Sequence, residues 1–360
     1  MACGGQRLGA IAALAALLLS AGCKAEGTKL PALGARINAT SVSGLSSGAY
    51  MAGQFQIAHS SVVMGAGIIA GGPYGCAQSL YADNMPGPGT AFINLSKAIN
   101  GCMLDAMRAW GVPNVTLLAD RTRRLAQAGR IDALEGLAQD RIYLFTGTKD
   151  RTVLPAIVTA AAELYVGLGV PAAQVKVVSD IPAGHAFVTL DKGIACGTTA
   201  DPYITDCDYD QAGALLAHIY GALQARVAEP AGEYVVFDQE EFVRDLSGHG
   251  LGAVGLLYTP RICRLTPGCR AHIVFHGCNQ QREKVGDAFA RDTGYANWAD
   301  ANRLVLLFPQ VSASAVNPQG CWDWWGYTGR DYLTRQGPQI AAVRRMLDRL
   351  ASHPPSNSRR

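Results

Sequence analysis

Short apolar runs alternate with stretches of helical periodicity along most of the chain. The apolar runs predict strands at 39–45, 63–70, 141–147, 175–179, 234–237, 255–258, 272–275 and 304–308. The periodic stretches predict helices at 47–60, 91–110, 117–128, 155–168, 210–223 and 331–350, with further helix between the last two strands. Such alternation is typical of a mostly parallel central sheet with helices on both faces. We therefore predict an α/β fold.

The N-terminal residues 1–23 have the pattern of a secretion signal. Arg7 is followed by an apolar run at 8–19 and then by small residues that end at Cys23. The run is too short to span a membrane. Cys23 follows Leu-Ser-Ala-Gly, which resembles a lipobox except that Ser20 replaces the usual leucine. A lipid anchor to the outer membrane through Cys23 and a freely secreted or periplasmic protein both stay open, and either places the protein outside the cytoplasm.

The rest of the chain reads as one domain. No internal repeat or low-complexity linker divides residues 28–352, and residues 353–360 have the composition of a loose tail. Of 360 residues, 49% are hydrophobic, which is enough for a large core. The formal net charge is only +3 and no long Lys/Arg run occurs, which argues against a nucleic-acid partner.

Cysteine usage agrees with export. When Cys3 and Cys23 are set aside from the 10 cysteines, an even number remains. In an exported protein this predicts disulfides, and the absence of paired CxxC or HxxxH spacing argues against a metal site. Nearest-neighbour pairing closes short loops and is our prediction: Cys76–Cys102, Cys196–Cys207, Cys263–Cys269 and Cys278–Cys321.

Residues 44–48 (Gly-Leu-Ser-Ser-Gly) fit the G-x-S-x-G motif of a nucleophile elbow. The motif alone is weak evidence, since an ordinary glycine-rich turn has the same composition. Its context strengthens it, because a predicted strand precedes it and a predicted helix follows. Ser46 would then lie at a helix N-terminus, where backbone N–H groups favour an oxyanion. We predict Ser46 as the nucleophile of a serine esterase.

A serine nucleophile needs a base and an acid that orients the base. Among seven histidines, His185 lies on a Pro/Gly loop after the predicted strand 175–179, where this fold delivers its histidine. Asp150 follows the preceding strand, and Asp180 is the second candidate for the acid. The order Ser46, Asp150, His185 is that of α/β-hydrolases and differs from the orders of the two serine-protease types.

The oxyanion hole indicates an unusual chain order. Its first donor is the N–H of the residue after the nucleophile, Ser47, and its second comes from a loop that normally precedes the elbow. No such loop lies between the signal and Ser46, but a late strand at 272–275 leads into His-Gly-Cys-Asn-Gln at 276–280. The sequence therefore predicts a circularly permuted α/β-hydrolase, opened between the helix 331–350 and the elbow strand.

The segments GLSSGAYMAGQ, GGPYGCA, SDIPAGHAF, PYITDCDYDQAGALLAHIYG, FHGCNQ and GCWDWWGY together resemble the single-domain, circularly permuted poly(3-hydroxybutyrate) depolymerases over nearly all of the mature chain. The resemblance implies a triad of Ser46, Asp150 and His185, with the amides of Ser47 and Cys278 as the oxyanion hole. It also implies extracellular hydrolysis of a polyester without a cofactor, and it implies no protein partner. Multidomain relatives carry a separate polymer-binding module, for which this sequence leaves no room after Arg360.

Aromatic residues that could bind the polymer cluster near the C-terminus, namely Trp322, Trp324, Trp325 and Tyr327. Burial in the core is the alternative for at least one of them. We expect at least one ring to face the cleft or the surface, because three tryptophans in four residues do not all fit one core.

Two other functions are compatible with this pattern. One is an esterase for small or plant-wall esters of the feruloyl or acetyl type, which shares the HGC and CW elements. The other is a non-catalytic binding protein that uses the same fold as a scaffold. The permuted order and the PYITDCDYDQAG segment favour the depolymerase, and the intact Ser, Asp and His argue against a non-catalytic role.

Overall fold

A computed structural model describes residues 27–78, 88–103, 113–243 and 248–353, with only the backbone for 88–92. The predicted signal with Cys23, residues 104–110 of the predicted helix 91–110, and most of the predicted tail lie outside these ranges. The strands are β1 Arg36–Leu45, β2 Val63–Ile69, β3 Arg141–Phe145, β4 Val175–Val178, β5 Phe187–Thr189, β6 Ile194–Ala195, β7 Ile204–Asp206, β8 Glu233–Asp238, β9 Val254–Thr259, β10 Arg270–Phe275 and β11 Leu304–Phe308. The helices are α1 Ser47–Ala58, α2 Pro88–Gly101, α3 Val115–Gln127, α4 Pro155–Gly167, α5 Gln211–Tyr220, α6 Arg261–Leu265, α7 Arg282–Val285, α8 Ala288–Arg291, α9 Tyr295–Asn302 and α10 Pro338–Ala351.

Eight strands form the central sheet in the order β4-β3-β2-β1-β10-β11-β9-β8. The pairs from β4 to β11 are parallel, whereas β9 runs antiparallel to both β11 and β8. Strand β1 therefore lies in the middle of the sheet, between β2 and β10. Parallel strands end at the same edge of a sheet, so the loops that follow β1, β3, β4 and β10 meet there.

Both faces of the sheet are buried, and β11 shows why its sequence is apolar throughout. Val305 and Leu307 point into a core that also contains side chains of α1, α4 and α10. Leu304, Leu306 and Phe308 point into a second core on the opposite face, which α5 and α9 cover. Alternate residues of a strand face opposite sides, so a strand between two helical layers needs apolar residues at every position.

The two described ends of the chain meet beside β1. Leu33 N and Ala35 N donate to Leu350 O over 3.1 and 3.0 Å, and Gly34 N donates to Ser352 O over 2.8 Å. The last turn of α10 therefore lies against the segment that enters β1. This is the junction at which the sequence predicts the permutation, and the circularly permuted α/β-hydrolase fold is confirmed.

The structure differs from the predicted elements in more than small shifts of their ends. Of the predicted helix 91–110, the helical part ends at Gly101, and residues 102 and 103 form a turn. A short helix, α6, lies between β9 and β10, where none was predicted. The predicted helix 331–350 begins only at Pro338, because residues 331–337 form turns in which Gly337 N donates to Thr334 O over 2.9 Å. Proline is favoured in the first turn of a helix, where its missing N–H is not needed. The three-stranded sheet β5-β7-β6 was not predicted, since strands of two or three residues are too short to show a period.

The four disulfides of the structure join the pairs that nearest-neighbour pairing predicts: Cys76–Cys102, Cys196–Cys207, Cys263–Cys269 and Cys278–Cys321. Within the described ranges, no helix combines the length and the apolar character needed to cross a lipid bilayer. The same residues contain no group of three or more His, Cys, Asp or Glu side chains arranged to hold a metal ion.

Candidate active site

Ser46 occupies the sharp turn between β1 and α1. Its backbone has φ 57° and ψ −121°, in the left-handed region that a side-chain-bearing residue rarely adopts. Such a conformation costs about 1–3 kcal/mol and persists only where the surroundings impose it. Ser46 N donates to Ile69 O of β2 over 2.9 Å, which fixes the turn to the neighbouring strand. This geometry is that of a nucleophile elbow.

The two glycines of the motif are required by close backbone contacts. A Cβ atom on Gly44 would lie 2.2 Å from Gly48 O, and one on Gly48 would lie 2.2 Å from Phe275 O and 2.4 Å from His276 O. All three distances are far below van der Waals contact with backbone atoms. The elbow thus needs glycine at both positions so that α1 can rest directly against the end of β10.

Asp150 and His185 form a buried pair at the same edge of the sheet. His185 Nδ1 lies 2.8 Å from Asp150 Oδ2. The other oxygen, Asp150 Oδ1, accepts the N–H groups of Thr152 and Val153 over 2.8 and 3.0 Å, and Asp150 has no exposed surface. Asp180, the second candidate for the acid, is exposed. Of the two carboxylates, the structure brings Asp150 to the histidine.

His185 is held at its backbone as well as its ring. Its backbone N–H donates over 2.8 Å to Oγ1 of Thr199, which lies in the loop between β6 and β7 of the small sheet. Because Nδ1 is bound to Asp150, Nε2 is the ring nitrogen left to act on a serine hydroxyl. His185 and Ser46 are both buried and keep 6% and 8% of their surface exposed.

The loop after β10 passes beside Ser46, the predicted nucleophile. A Cβ atom on Gly277 would lie 3.5 Å from Ser46 Cβ, so glycine leaves room next to the serine. The buried ring of His276 orients this loop through two hydrogen bonds. Val311 N donates to His276 Nε2 over 3.3 Å, and His276 Nδ1 lies 2.8 Å from Gly277 O. Burial lowers the pKa of His276 to about 4, so the ring is neutral and Nδ1 is the donor to Gly277 O.

That hydrogen bond also sets the direction of the Cys278 amide. The carbonyl of Gly277 and the N–H of Cys278 belong to one planar trans peptide, so they point in opposite directions. Holding Gly277 O toward His276 turns Cys278 N–H to the other side of the loop. Within the described part of the chain, neither Cys278 N nor Ser47 N donates a hydrogen bond to another protein group. Ser47 N is also at the first position of α1, where the helix dipole favours negative charge.

Two curated proteins are similar to the chain along most of its length. A poly(3-hydroxybutyrate) depolymerase of Delftia acidovorans is 40% identical over 348 residues, which cover 95% of this chain and 66% of that protein. A polyhydroxybutyrate depolymerase of Talaromyces funiculosus is 34% identical over 333 residues, which cover 88% of this chain and 90% of that protein. The chain belongs to the poly(3-hydroxybutyrate) depolymerase family.

Solved structures of this depolymerase family share the fold. A PHB depolymerase in complex with an R3HB trimer, with one serine replaced by alanine, matches with a TM-score of 0.77 and 33% identity and covers 90% of this chain and 99% of that one. The crystal structure of a PHB depolymerase from Penicillium funiculosum matches with the same TM-score, 32% identity and the same coverage. No protein-family model matches the chain.

The aromatic cluster of this depolymerase-family chain is more buried than the sequence suggests. Trp322, Trp324 and Trp325 are 0%, 5% and 7% exposed, and Tyr327 is half-buried with its hydroxyl donating to Cys321 O over 2.8 Å. The expected tryptophan ring on the surface is therefore not found, and a ring that faces the cleft stays a prediction. The cluster is enclosed because α1 and the loop after β10, which are both distant in sequence, pack against it. A role in substrate binding stays a prediction for all four residues.

Two residues contribute to the site through side chains whose contacts the sequence does not indicate. Gln280 Oε1 accepts Gly277 N over 2.7 Å, while its Nε2 donates to Pro202 O and Tyr203 O over 2.9 and 3.1 Å. Gln280 thereby ties the loop after β10 to the small sheet that carries His185. The side chain of Ser47 is the second, because its Oγ accepts Trp322 N over 3.3 Å. Sequence reasoning considered only the backbone N–H of Ser47, since a serine beside a nucleophile gives no sign of what its own hydroxyl binds.

Proposed function

We propose that the chain is an extracellular serine esterase that hydrolyses the ester bonds of poly(3-hydroxybutyrate) or related polyhydroxyalkanoates to oligomers and monomers. The observation that carries this proposal is the Asp150–His185 pair at the carboxyl edge of the sheet that also bears the strained elbow of Ser46. The relatives named as depolymerases of this polymer supply the substrate class. We propose residues 28–352 as one catalytic domain.

The proposed reaction has two halves joined by an acyl-enzyme. Ser46 Oγ attacks the ester carbonyl while His185 Nε2 accepts the hydroxyl proton, and Asp150 stabilises the resulting imidazolium. The amides of Ser47 and Cys278 donate to the oxyanion of the tetrahedral intermediate. When the intermediate collapses, the ester C–O bond breaks and His185 returns the proton to the departing alcohol. Water then attacks the acyl-enzyme by the same route and releases the acid, which restores Ser46.

The polymer is proposed to contact the aromatic cluster beside the loop after β10. Trp324 and Trp325 are 5% and 7% exposed, close to the 8% of Ser46, and Tyr327 is half-buried. The Cys278–Cys321 disulfide joins the cluster to the loop of the proposed oxyanion hole. The four disulfides support a location outside the cytoplasm, where such bonds persist. Acylation of Cys23 is a finer proposal, which the mass of the mature N-terminal peptide tests.

The triad is tested by substitution and two substrates. Ser46→Ala and His185→Ala are each expected to lower the rate by several powers of ten while the protein still folds, and Asp150→Asn somewhat less. The rates are measured as clearing of a poly(3-hydroxybutyrate) suspension and as hydrolysis of p-nitrophenyl butyrate. Asp180→Asn is the matched control, because it removes the exposed carboxylate that is the other candidate for the acid, and it should retain full activity.

Three outcomes would contradict the proposal. Nearly full activity of Asp150→Asn together with loss in Asp180→Asn would reassign the acid. Hydrolysis of p-nitrophenyl butyrate without any clearing of the polymer would favour the small-ester alternative. Failure of the wild-type protein to react with a fluorophosphonate probe would argue for a non-catalytic role.

A further inference from the structure

The two amides of the proposed oxyanion hole belong to different parts of the fold. Ser47 begins α1, whereas Cys278 lies in the loop after β10. Both N–H groups must reach one oxygen at hydrogen-bonding distance, and sites of this kind tolerate errors of only about 0.5 Å. Something must therefore hold α1 and the loop at a fixed separation. The segment 321–324, which we call the brace, contacts both.

One face of α1 contacts the brace along almost two turns. Ser47, Tyr50 and Gln54 stand at positions i, i+3 and i+7, which project from the same side of a helix. Ser47 Oγ accepts Trp322 N over 3.3 Å, and Gln54 Nε2 donates to Asp323 O over 2.8 Å. Between them, the Tyr50 ring stacks on Trp324 with centroids 4.1 Å apart and planes 13° from parallel. All three side chains of this face are buried.

The brace also contacts β10 and the loop that follows it. Cys321 is joined to Cys278 by a disulfide, so the brace is covalently attached to the second proposed donor. The Trp322 ring packs edge-on against Phe275 at 4.9 Å and tilted against His276 at 5.7 Å. The brace thus binds Ser47 Oγ through the main-chain N–H of Trp322, and it binds Cys278 through the disulfide.

Asp323 keeps the brace in one conformation. Its Oδ1 accepts the N–H groups of Gly326 and Tyr327 over 2.6 and 3.0 Å, and its Oδ2 accepts both Thr328 N and Thr328 Oγ1 over 2.8 and 2.6 Å. Asp323 N in turn donates to Gln339 Oε1 of α10 over 2.9 Å. A turn organised around a buried carboxylate and fixed to a neighbouring helix is a rigid support.

We propose that the brace sets the spacing of the two oxyanion-hole amides, and that Ser47 is a positioning residue that holds its own N–H in place through its hydroxyl. The inference rests on the proposed function, because it requires that both amides receive an oxyanion. It assigns a use to the second serine of the Gly-Leu-Ser-Ser-Gly motif. It also gives the buried aromatic cluster a part in catalysis that does not depend on contact with substrate.

The test is Ser47→Ala, which removes the hydroxyl and leaves the amide. Complete loss of one oxyanion donor typically costs about 10²–10³ in kcat, so a displaced donor should cost about tenfold. We expect kcat for p-nitrophenyl butyrate to fall about tenfold per active site titrated with a fluorophosphonate, with KM changed less than about twofold. The Ki of an alkyl trifluoromethyl ketone, whose adduct with Ser46 carries an oxyanion, should rise by the same factor.

Two further variants separate positioning from folding. Ser47→Thr keeps the hydroxyl and should recover most of the rate. Ser60→Ala is the matched control, because Ser60 is also a buried serine whose hydroxyl binds one backbone group: it donates to Ala133 O over 2.8 Å, beyond the far end of α1. It should leave kcat and Ki unchanged. The inference is overturned if titrated Ser47→Ala has wild-type kcat and Ki, even where its Tm has fallen.

The assay also keeps this inference distinct from the proposed function. A small ester and a trifluoromethyl ketone do not need the polymer, so failure to clear poly(3-hydroxybutyrate) would refute the proposed substrate without changing the result for Ser47. Conversely, polymer clearing by wild-type protein together with an unaffected Ser47→Ala would refute only the brace.

Discussion

Asp140 provides a test of buried charge away from the active site. Its side chain lies just before β3 and is 2% exposed, and it accepts a hydrogen bond from Gln56 Nε2 of α1, which is a neutral donor. Burial raises the pKa of Asp140 to about 7, because an ionised carboxylate loses its hydration there. The perturbation we consider is Asp140→Asn, which keeps the shape of the side chain and removes the charge. The new amide group would also face Gln56 Oε1, which has no hydrogen-bond partner.

The size and sign of the effect follow from linkage. The unfolded chain has an ordinary carboxyl with a pKa of 3.8, whereas the folded value is raised to about 7. The folded state therefore holds the proton more tightly, so this group's contribution is fully present below pH ~4 and is lost as the pH rises through about 7. Between pH 5 and pH 8 the wild-type protein should lose about 2–3 kcal/mol at this site. Asp140→Asn has no carboxyl group to ionise at this position, so its free energy of unfolding does not fall in this way between pH 5 and pH 8.

The assay is chemical or thermal denaturation of wild type and Asp140→Asn at pH 5 and pH 8. We expect the variant's stability relative to wild type to increase by about 2–3 kcal/mol between the two pH values. Burial also lowers the pKa values of His59, His272 and His276, but their contributions are the same in both proteins and cancel. The control is Asp191→Asn, at an exposed position, and its difference in stability from wild type should be the same at pH 5 and at pH 8. An Asp140→Asn difference that does not change with pH would refute the reasoning.

Two further predictions concern packing and cross-links. Gly48→Ala should abolish both activity and fluorophosphonate labelling and lower Tm, because the added Cβ would lie 2.2 Å from a backbone oxygen of β10. Normal labelling of this variant would show that α1 can move away from β10 without loss of the reactive serine. Removal of the Cys278–Cys321 disulfide, whose cysteines are 43 residues apart, should cost about 4 kcal/mol in guanidinium unfolding, against about 2 kcal/mol for Cys263–Cys269, which are 6 apart. Equal costs would argue against the loop-entropy account.

The parts of the fold that the sequence predicts well are those in which local pattern and tertiary environment agree. The run 304–308 is apolar at every position because helices cover both faces of β11, and its predicted bounds match the structure. The elbow is readable because Gly44 and Gly48 are required by backbone contacts that no other residue type allows. The late position of the loop at 276–280 could be recognised because the fold needs such a loop somewhere and the sequence offers it only there.

The parts that could not be predicted depend on partners distant in the chain. Nothing near Trp324 in the sequence indicates that Tyr50 stacks on it, so the sequence does not show which of the three tryptophans are buried. The hydroxyl of Ser47 binds Trp322 N across 275 positions, and no periodicity reports such a contact. The small sheet β5-β7-β6 gives no signal because its strands are so short, although it supports the loop of His185.

The permuted order divides the machinery unequally between two consecutive halves of the polypeptide. The half up to α5 contains β1 to β4 and carries Ser46, Asp150 and His185, whereas the half from β8 onward carries Cys278 and the brace. Each half alone would expose a long, unpaired sheet edge, at β1 in one and at β10 in the other. During synthesis the proposed nucleophile and base are thus made well before the proposed second oxyanion donor, which reaches them only when β10 pairs with β1. We expect two fragments divided between α5 and β8 to recover esterase activity only where β10 of one pairs with β1 of the other.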